Sequence, residues 1–211
     1  MSNISKTIAI LFALLLSLAP PTSAIDSQVD QDVEAALQKR VRLVTQMAMN
    51  DVVLEATRSQ NNEHLTPAEI RDRDNQWKAS RELTEFKTSL QTSDVGKLFA
   101  NKINWPDSVY SEMFLTDNQG ANVAAYPATS DYWQGDEEKW IASFNRGSGR
   151  VFIGPIELDE STGIRAVQIS VPVLDGEKTI GVLIVGVKLS FVVESMIEDR
   201  AEQATGAPEA E

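Results

Sequence analysis

The residues best suited to bind a ligand fall in one stretch of ten, at positions 131–140. This stretch holds two of the four tryptophans, one of the three tyrosines and four carboxylates. Aromatic side chains provide apolar walls with polar tips, and carboxylates accept hydrogen bonds from a cationic or hydroxyl-bearing ligand. The members that we consider as ligand contacts are Asp131, Tyr132, Trp133, Asp136 and Trp140.

A purely structural role would explain the same residues. Trp133 and Trp140 would then pack the stretch onto the sheet. The acidic residues Asp136, Glu137 and Glu138 would favour the start of a short helix, because negative charge is stabilised at a helix N-terminus. The sequence leaves both interpretations open.

The sequence offers no pattern for several other kinds of chemistry. It has no cysteine, which excludes a disulfide, a thiolate nucleophile, a thiolate metal site and a lipid anchor on sulfur. His64 is the one histidine, and a catalytic triad or histidine metal site needs partners that the sequence does not supply. Asp131 and Glu137 could be posed as a glycosidase pair, yet no catalytic motif accompanies them. We therefore expect no enzyme activity, no metal and no cofactor.

Charge and the amino-terminal pattern indicate an exported protein. The 211 residues include 31 acidic and 19 basic side chains, and the net charge of −12 disfavours binding to nucleic acid and to anionic lipid. Lys6 precedes an apolar run at 8–18, and small residues close the segment at 22–24, as in a secretory signal peptide. We predict a signal peptide over residues 1–24 and a periplasmic location.

A long helix is predicted next. Apolar residues recur at helical spacing over 26–59, and no Gly or Pro interrupts them. In the simpler interpretation the apolar face of this helix packs along a sheet. In the other, part of it forms a homodimer contact, although the spacing is too irregular for a coiled coil.

Further helices precede the change to strands. Thr66, Pro67 and Glu69 together predict a capped helix start, because they combine an N-cap, a first-turn proline and a capping box. We expect Ile70 and Trp77 to face inward. Helical sequence continues to about residue 90, and a short helix follows around 94–101.

The second half of the chain has strand patterns. Turn-forming segments at 117–120, 158–163 and 175–176 separate apolar stretches rich in Val and Ile. The short turns between the last three strands favour an antiparallel meander. The predicted strands are 109–116, 121–126, 150–157, 164–173 and 179–189. A long insertion at 127–149, named the lid here, lies between strands two and three and contains the stretch 131–140.

Several motifs, taken in order, resemble the Cache domain, an extracytoplasmic PAS-like sensor module of chemoreceptors, histidine kinases and cyclic-dinucleotide enzymes. The similar segments are 114–120, 123–124, 130–140, 151–154, 159–162, 169–173 and 180–183. The resemblance implies an α+β fold with a long N-terminal helix packed on a five-stranded antiparallel sheet, and a ligand pocket under the lid. With the patterns above, the chain divides into a signal peptide (1–24), a helical part (25–107), a sheet core (108–200) and a disordered acidic tail (201–211).

The resemblance also implies a kind of ligand. Members of the family bind small metabolites such as amino acids, carboxylates and amines. In amino-acid-binding members a lid arginine and aromatic residues hold the ligand carboxylate, whereas aspartates hold the amine. This lid has no arginine before Arg146, so a cationic or polar ligand is expected rather than a simple anion. The implied site residues are Asp131, Tyr132, Trp133, Asp136, Trp140, Tyr126 and Asp159.

Two residues of the predicted fourth strand are further candidates. Arg165 and Gln168 could each reach the pocket if the side chain faces it. Because side chains alternate between the two faces of a strand, these two point to opposite faces. At most one of them therefore lines the pocket.

The implied function is capture of a small metabolite, such as an amino acid or an amine. The signal would pass to a membrane receptor, histidine kinase or cyclase, in a role related to chemotaxis. Receptors of the family have a transmembrane helix on each side of the sensor, whereas this sequence resembles the sensor part alone. The alternative is a non-catalytic structural or interaction protein with a vestigial pocket.

Overall fold

One antiparallel sheet organises the structure. The computed structural model describes residues 35, 37–158 and 164–191, and within them five strands pair in the order β2-β1-β5-β4-β3. The strands are β1 Tyr110–Thr116, β2 Asn122–Tyr126, β3 Phe152–Leu158, β4 Arg165–Asp175 and β5 Lys178–Lys188. Every neighbouring pair is antiparallel, which confirms the predicted α+β fold class and the meander of the last three strands.

Helices cover the sheet from both sides. Most of them precede the sheet in sequence, and one lies within the lid. They are α1 (residues 37–48), α2 Asp51–Asn62, α3 Pro67–Lys78, α4 Glu85–Thr92, α5 Asp94–Ile103 and, in the lid, α6 Glu138–Phe144.

The N-terminal helical region is not continuous. Helical backbone over residues 37–48 ends at a turn, and α2 begins at Asp51 with Asn50 as its N-cap. The Asn50 side-chain oxygen accepts a 2.9 Å hydrogen bond from the Val52 amide, and the Asn50 backbone is extended. The prediction of one helix over 26–59 is therefore wrong at this point, because the Asn side chain satisfies a free amide and starts a new helix.

The start of α3 confirms its predicted capping box. The Thr66 hydroxyl accepts a 3.3 Å hydrogen bond from the Glu69 amide, and the Glu69 carboxylate accepts a 2.8 Å bond from the Thr66 amide. Ile70 and Trp77 are buried, as their spacing predicts. The helical sequence expected to run on to about residue 90 is divided, because α3 ends at Lys78 and α4 begins only at Glu85.

The main core fills the space between the sheet and helices α1, α2 and α5. Val44, Val53 and Phe99 from these helices meet Leu115 and Val185 of the sheet, and all five side chains are completely buried. Burying a side chain of this size stabilises a fold by about 1.5–3 kcal/mol. The helices therefore cover the centre of this face of the sheet, whereas the opposite face carries the lid.

Some predicted segments lie outside the described residues. They are the signal peptide at 1–24, the tail at 201–211 and the turn that contains Asp159. The division of the chain into parts at 25–107 and 108–200 stays a prediction. Within the described ranges, no helix combines the length and the apolar character that crossing a membrane requires.

Candidate ligand-binding site

A cavity of about 450 Å³ separates the lid from the sheet. Strands β1, β3 and β4 form its floor, and the first half of the lid with the start of α6 forms its roof. The described lining residues are Glu112, Thr129, Ser130, Gln134, Glu137, Glu138, Lys139, Phe152, Gly154, Pro155, Glu157, Leu158, Ala166 and Gln168. The cavity has the location that the Cache resemblance implies, and its volume suits a small metabolite.

The floor is built around a glycine. Glu112 on β1 and Gln168 on β4 both pair with Gly186 on the intervening strand β5. The Gln168 Nε2 atom donates a 2.6 Å hydrogen bond to Glu112 Oε1 across this glycine. A Cβ atom at position 186 would lie 2.4 Å from Ser111 Oγ and 2.9 Å from Glu112 Cγ. Glycine therefore leaves the space in which the two polar side chains meet.

Strand alternation decides which of the two β4 candidates lines the cavity. Gln168 forms part of the floor, whereas Arg165 is exposed to solvent. The expectation that at most one of them faces the pocket is confirmed. Glu112 is only 4% exposed, so its pairing with the Gln168 amide satisfies a carboxylate that is costly to bury unpartnered.

The cavity is strongly acidic. Four carboxylates, from Glu112, Glu137, Glu138 and Glu157, stand against the single Lys139 among its described lining residues. The Lys139 ammonium lies 5.6 Å from the centre of the Phe114 ring, which holds this cation against the sheet. In the described part of the chain, no group of three or more His, Asp or Glu side chains could hold a metal ion.

The first half of the lid is fixed by polar contacts to the β1–β2 hairpin. The Thr129 hydroxyl accepts a 2.7 Å hydrogen bond from Asn122 Nδ2 and donates a 2.6 Å bond to the Asp131 carbonyl. Gln134 donates its amide to the Gly120 carbonyl at 2.8 Å, and its side chain to the Asp131 carboxylate. Asp131 therefore orients Gln134, which lines the cavity, rather than lining it itself.

Tyr132 and Trp133 hold the lid on its other side. The Tyr132 ring is 1% exposed, and its centre lies 5.9 Å from Trp77 and 5.1 Å from Phe86. Burial raises the pKa of the Tyr132 phenol, and the neighbouring Arg73 guanidinium acts in the opposite direction. The Trp133 indole donates a 2.8 Å hydrogen bond to the Gln119 carbonyl. Both residues thus anchor the lid to the helical layer and the hairpin.

A buried carboxylate on α3 completes this anchor. Asp74 accepts hydrogen bonds from the backbone amides of Tyr132 and Trp133, at 3.0 and 3.2 Å. Its second oxygen forms an ion pair with Lys78. The lid backbone is therefore tied to α3 through one side chain.

The structure places the other described candidates outside the cavity lining. Trp140 stacks on Phe144 with ring centres 4.7 Å apart, and both pack on the lid-facing side of the sheet. Asp136 is exposed to solvent, and the Tyr126 hydroxyl accepts a 2.9 Å hydrogen bond from Asn104. Asp159 lies outside the described residues. None of the six described candidates is a lining residue, and direct ligand contact by the seven stays a prediction.

The stretch 131–140 contributes Gln134, Glu137, Glu138 and Lys139 to the described lining, and none of these four is among the predicted site residues. The composition of the stretch gives no role to Gln134 or Lys139. It marks Glu137 and Glu138 as helix-start residues, and Glu137 also as one of a potential glycosidase pair. Glu112 could have been noticed, because a carboxylate at the centre of an otherwise apolar strand needs a partner or a function.

A buried polar network joins the lid to α2. The Asp117 carboxylate accepts hydrogen bonds from Gln60 Nε2 at 3.0 Å and from the amides of Gln119 and Ala121 at 2.8 and 2.9 Å. Burial raises the pKa of Asp117, and these hydrogen bonds oppose the rise. Gln60 also donates to the Asn122 carbonyl at 3.3 Å, while Asn122 holds the lid. A few side chains thus connect the lid with α2.

Comparison with known proteins gives structural neighbours only. No protein-family model matches the chain, and no curated protein matches it. The sensor domain of the V. cholerae histidine kinase DctB is 16% identical over 82% of this chain and 58% of its own length, with a TM-score of 0.46. The E. coli DcuS sensor domain is 16% identical over 79% of this chain and 98% of its own length, also at a TM-score of 0.46.

A third neighbour is the ligand-binding domain of the Pseudomonas aeruginosa chemoreceptor PctC in complex with GABA. It is 14% identical over 81% of this chain and 63% of its own length, with a TM-score of 0.41. These neighbours are sensor domains, the class that the sequence resembles. At such identities and TM-scores they carry no argument about the ligand of this chain. The Cache-like architecture rests on the sheet order, the helical layer and the lid described above.

Proposed function

We propose that this chain is a periplasmic, non-catalytic, Cache-like module that binds a small cationic or hydroxyl-rich metabolite between the lid and the sheet. The observation that carries the proposal is the acidic cavity. Its four described carboxylates outnumber its one lysine, so an ammonium or several hydroxyl groups would be bound better than a simple anion. An amino acid or an amine has the appropriate size.

Each part of the cavity has a chemical role in this proposal. Glu112 and Gln168 present a fixed pair of acceptors and donors on the floor. Glu137 and Glu138 bring negative charge from the start of α6, and Gln134 offers an amide from the lid. A cation entering this field is attracted before contact, because acidic clefts concentrate oppositely charged solutes.

The proposed partner is a membrane receptor, histidine kinase or cyclase, to which the module passes its ligand-bound state. The polar network through Asn122, Asp117 and Gln60 supports this role, since it connects the roof of the cavity with α2. Ligand binding would therefore alter the surface presented by the N-terminal helices.

A thermal-shift panel on the purified protein tests the proposal. The panel contains putrescine, arginine, GABA, a neutral polyol and succinate. We expect at least one amine, amino acid or polyol to raise the midpoint of unfolding. At a concentration of 100 Kd the gain is about 2.7 kcal/mol, or roughly 5–10 °C for a chain of this length.

Matched variants then test whether the ligand binds in the cavity. The double variant Glu137→Gln, Glu138→Gln is expected to weaken an amine ligand by about tenfold or more, because it removes two charges from the cavity wall. Glu177→Gln removes an exposed carboxylate of the β4–β5 turn, which does not line the cavity, and should leave the affinity unchanged. A response to succinate alone would contradict the proposed ligand class. A chain stabilised by no probe and carrying no retained small molecule would favour the structural alternative.

A further inference from the structure

A second concave surface lies on the helical side of the sheet, opposite the lid. It is an open groove of about 480 Å³ between α1, α5 and the segment that leads into β1. We name it the helical groove. The residues that matter below are Arg40, Leu98, Lys102, Trp105, Val109 and Tyr110, all of which line it.

Trp105 is the first unusual feature of the helical groove. Its side chain is 73% exposed, the most of any large hydrophobic residue described. Indole rings contribute strongly to binding energy when a partner buries them, and tryptophan is enriched at the centres of protein interfaces. Leu98, Val109 and Tyr110 continue the apolar wall beside it.

The second feature of the helical groove is an excess of positive charge, because Arg40 and Lys102 line it with one acidic residue, Asp107. The Arg40 guanidinium lies 4.1 Å from the centre of the Phe191 ring, and its Nε atom is buried without a hydrogen-bond partner. Within the described ranges, neither Arg40 nor Lys102 takes part in an ion pair. This is notable in a chain with 31 acidic side chains, where a cation readily finds a carboxylate.

We propose that the helical groove docks an acidic segment of a partner protein. A carboxylate of that segment pairs with Arg40 and Lys102, and a neighbouring aliphatic or aromatic side chain packs on Trp105 and Tyr110. Arginine, tryptophan and tyrosine are the residues that most often dominate binding energy at interfaces. The local positive charge of Arg40 and Lys102 would orient an acidic segment toward this face, because oppositely charged patches attract each other.

The position of the helical groove suits an output surface. It uses α1 and α5, which cover the face of the sheet opposite the ligand cavity, so both sites can be filled at once. Strand β1 contributes to both, with Tyr110 in the groove and Glu112 in the cavity. Docking at the helical groove does not require a ligand in the cavity, and the experiment below uses no cavity ligand.

Peptide display on the purified full chain tests the docking. A library of random 12-residue peptides is selected against the protein, and the most enriched peptide is synthesised with a fluorescent label. We expect enrichment of Glu or Asp next to Leu, Ile, Phe or Trp. Arg40→Gln and Trp105→Ser should each weaken binding of that peptide by about tenfold or more, whereas Arg71→Gln, an exposed arginine on α3, should not.

Two further measurements make the outcome decisive. Trp105→Ser leaves the core intact because the ring is mostly exposed, so a lost interaction with an unchanged unfolding midpoint supports the proposal. If Arg40→Gln lowers stability, Lys102→Gln provides a second test of whether positive charge in the groove contributes to peptide binding. A selected pool without acidic residues, or a peptide insensitive to Arg40→Gln, Lys102→Gln and Trp105→Ser, overturns the proposal. So does tenfold tighter peptide binding after deletion of residues 192–211, which would identify the chain's own acidic segment as the occupant.

Discussion

At position 186 the absence of a side chain shapes the candidate site. Gly186 lies between Glu112 and Gln168 on adjacent strands, and the two polar side chains pair over it. Any Cβ there would collide with Ser111 and Glu112. The floor of the cavity and the stability of the central strand therefore depend on the same glycine.

Gly186→Ala is expected to lower the free energy of unfolding by about 1–3 kcal/mol, the usual cost of forcing extra volume into a packed site. It should also weaken whatever ligand the cavity binds, since it displaces Glu112. Gly154→Ala is the matched control, because a Cβ at that lining position meets no atom closer than 3.6 Å. Urea unfolding measures both, and equal stability of the two variants would contradict this account.

Substitutions at Trp140 and Asp136 are expected to change stability to very different extents. Trp140→Ala removes a ring that packs on Phe144 and the sheet, so we expect a loss of about 3 kcal/mol. Asp136→Ala alters an exposed side chain and should change stability by less than about 0.5 kcal/mol. Chemical unfolding of both variants checks this. A Trp140→Ala protein as stable as the wild type would show that the ring contributes binding surface rather than packing.

The stretch 131–140 could be located from sequence, whereas the roles within it could not. The aromatic and acidic composition indicates a lid. Because burying aromatic rings is favourable, Tyr132, Trp133 and Trp140 pack against protein. The polar neighbours are left to face the cavity, as Gln134 does. Both tryptophans contact protein in this structure, and direct ligand contact by them stays a prediction.

At the scale of elements, the break between α1 and α2 depends on Asn50. The apolar spacing continues across it, with Val44, Ala48 and Val53 all buried, so periodicity alone indicates one helix. The predicted strand bounds agree better with the structure than the predicted helix bounds, because Gly and Asp residues mark the turns at which strands end. Where one helix ends and another begins without an intervening Gly or Pro, the N-cap side chain is the main sequence signal of the break.

Asn50→Ala is expected to cost about 1 kcal/mol of unfolding free energy, because the Val52 amide loses its acceptor at the start of α2. Gln46→Ala, at an exposed position within α1, should change stability by less than about 0.5 kcal/mol. Thermal unfolding by circular dichroism compares the two. A neutral Asn50→Ala variant would indicate that tertiary packing alone sets the break.

At the scale of the whole molecule, the outer side of the N-terminal helices remains apolar in places. Met49 is 67% exposed and Val52 is 44% exposed, at the junction of α1 and α2. Exposed apolar side chains close together often mark a protein contact. A homodimer through this region stays a prediction from the sequence.

Sedimentation velocity over a range of concentrations tests the homodimer. We expect the wild type to associate and Val52→Glu to remain a monomer, because a charge at a contact would be desolvated without a partner. Glu55→Gln, one helical turn away and on an exposed position, serves as the control. A wild type that sediments as a monomer at every concentration would exclude the contact.

The way in which the lid is fastened also determines how a solute reaches the cavity. Its first half is held by Gln134 and Tyr132, and α6 packs on the sheet through Trp140. The outer half of edge strand β3 remains exposed at the cavity, at Glu157 and Leu158. Entry of a solute along these residues of β3 would leave the contacts of the lid in place. Association rates should then rise in proportion to ligand concentration without a plateau, and fall with added salt for a cation.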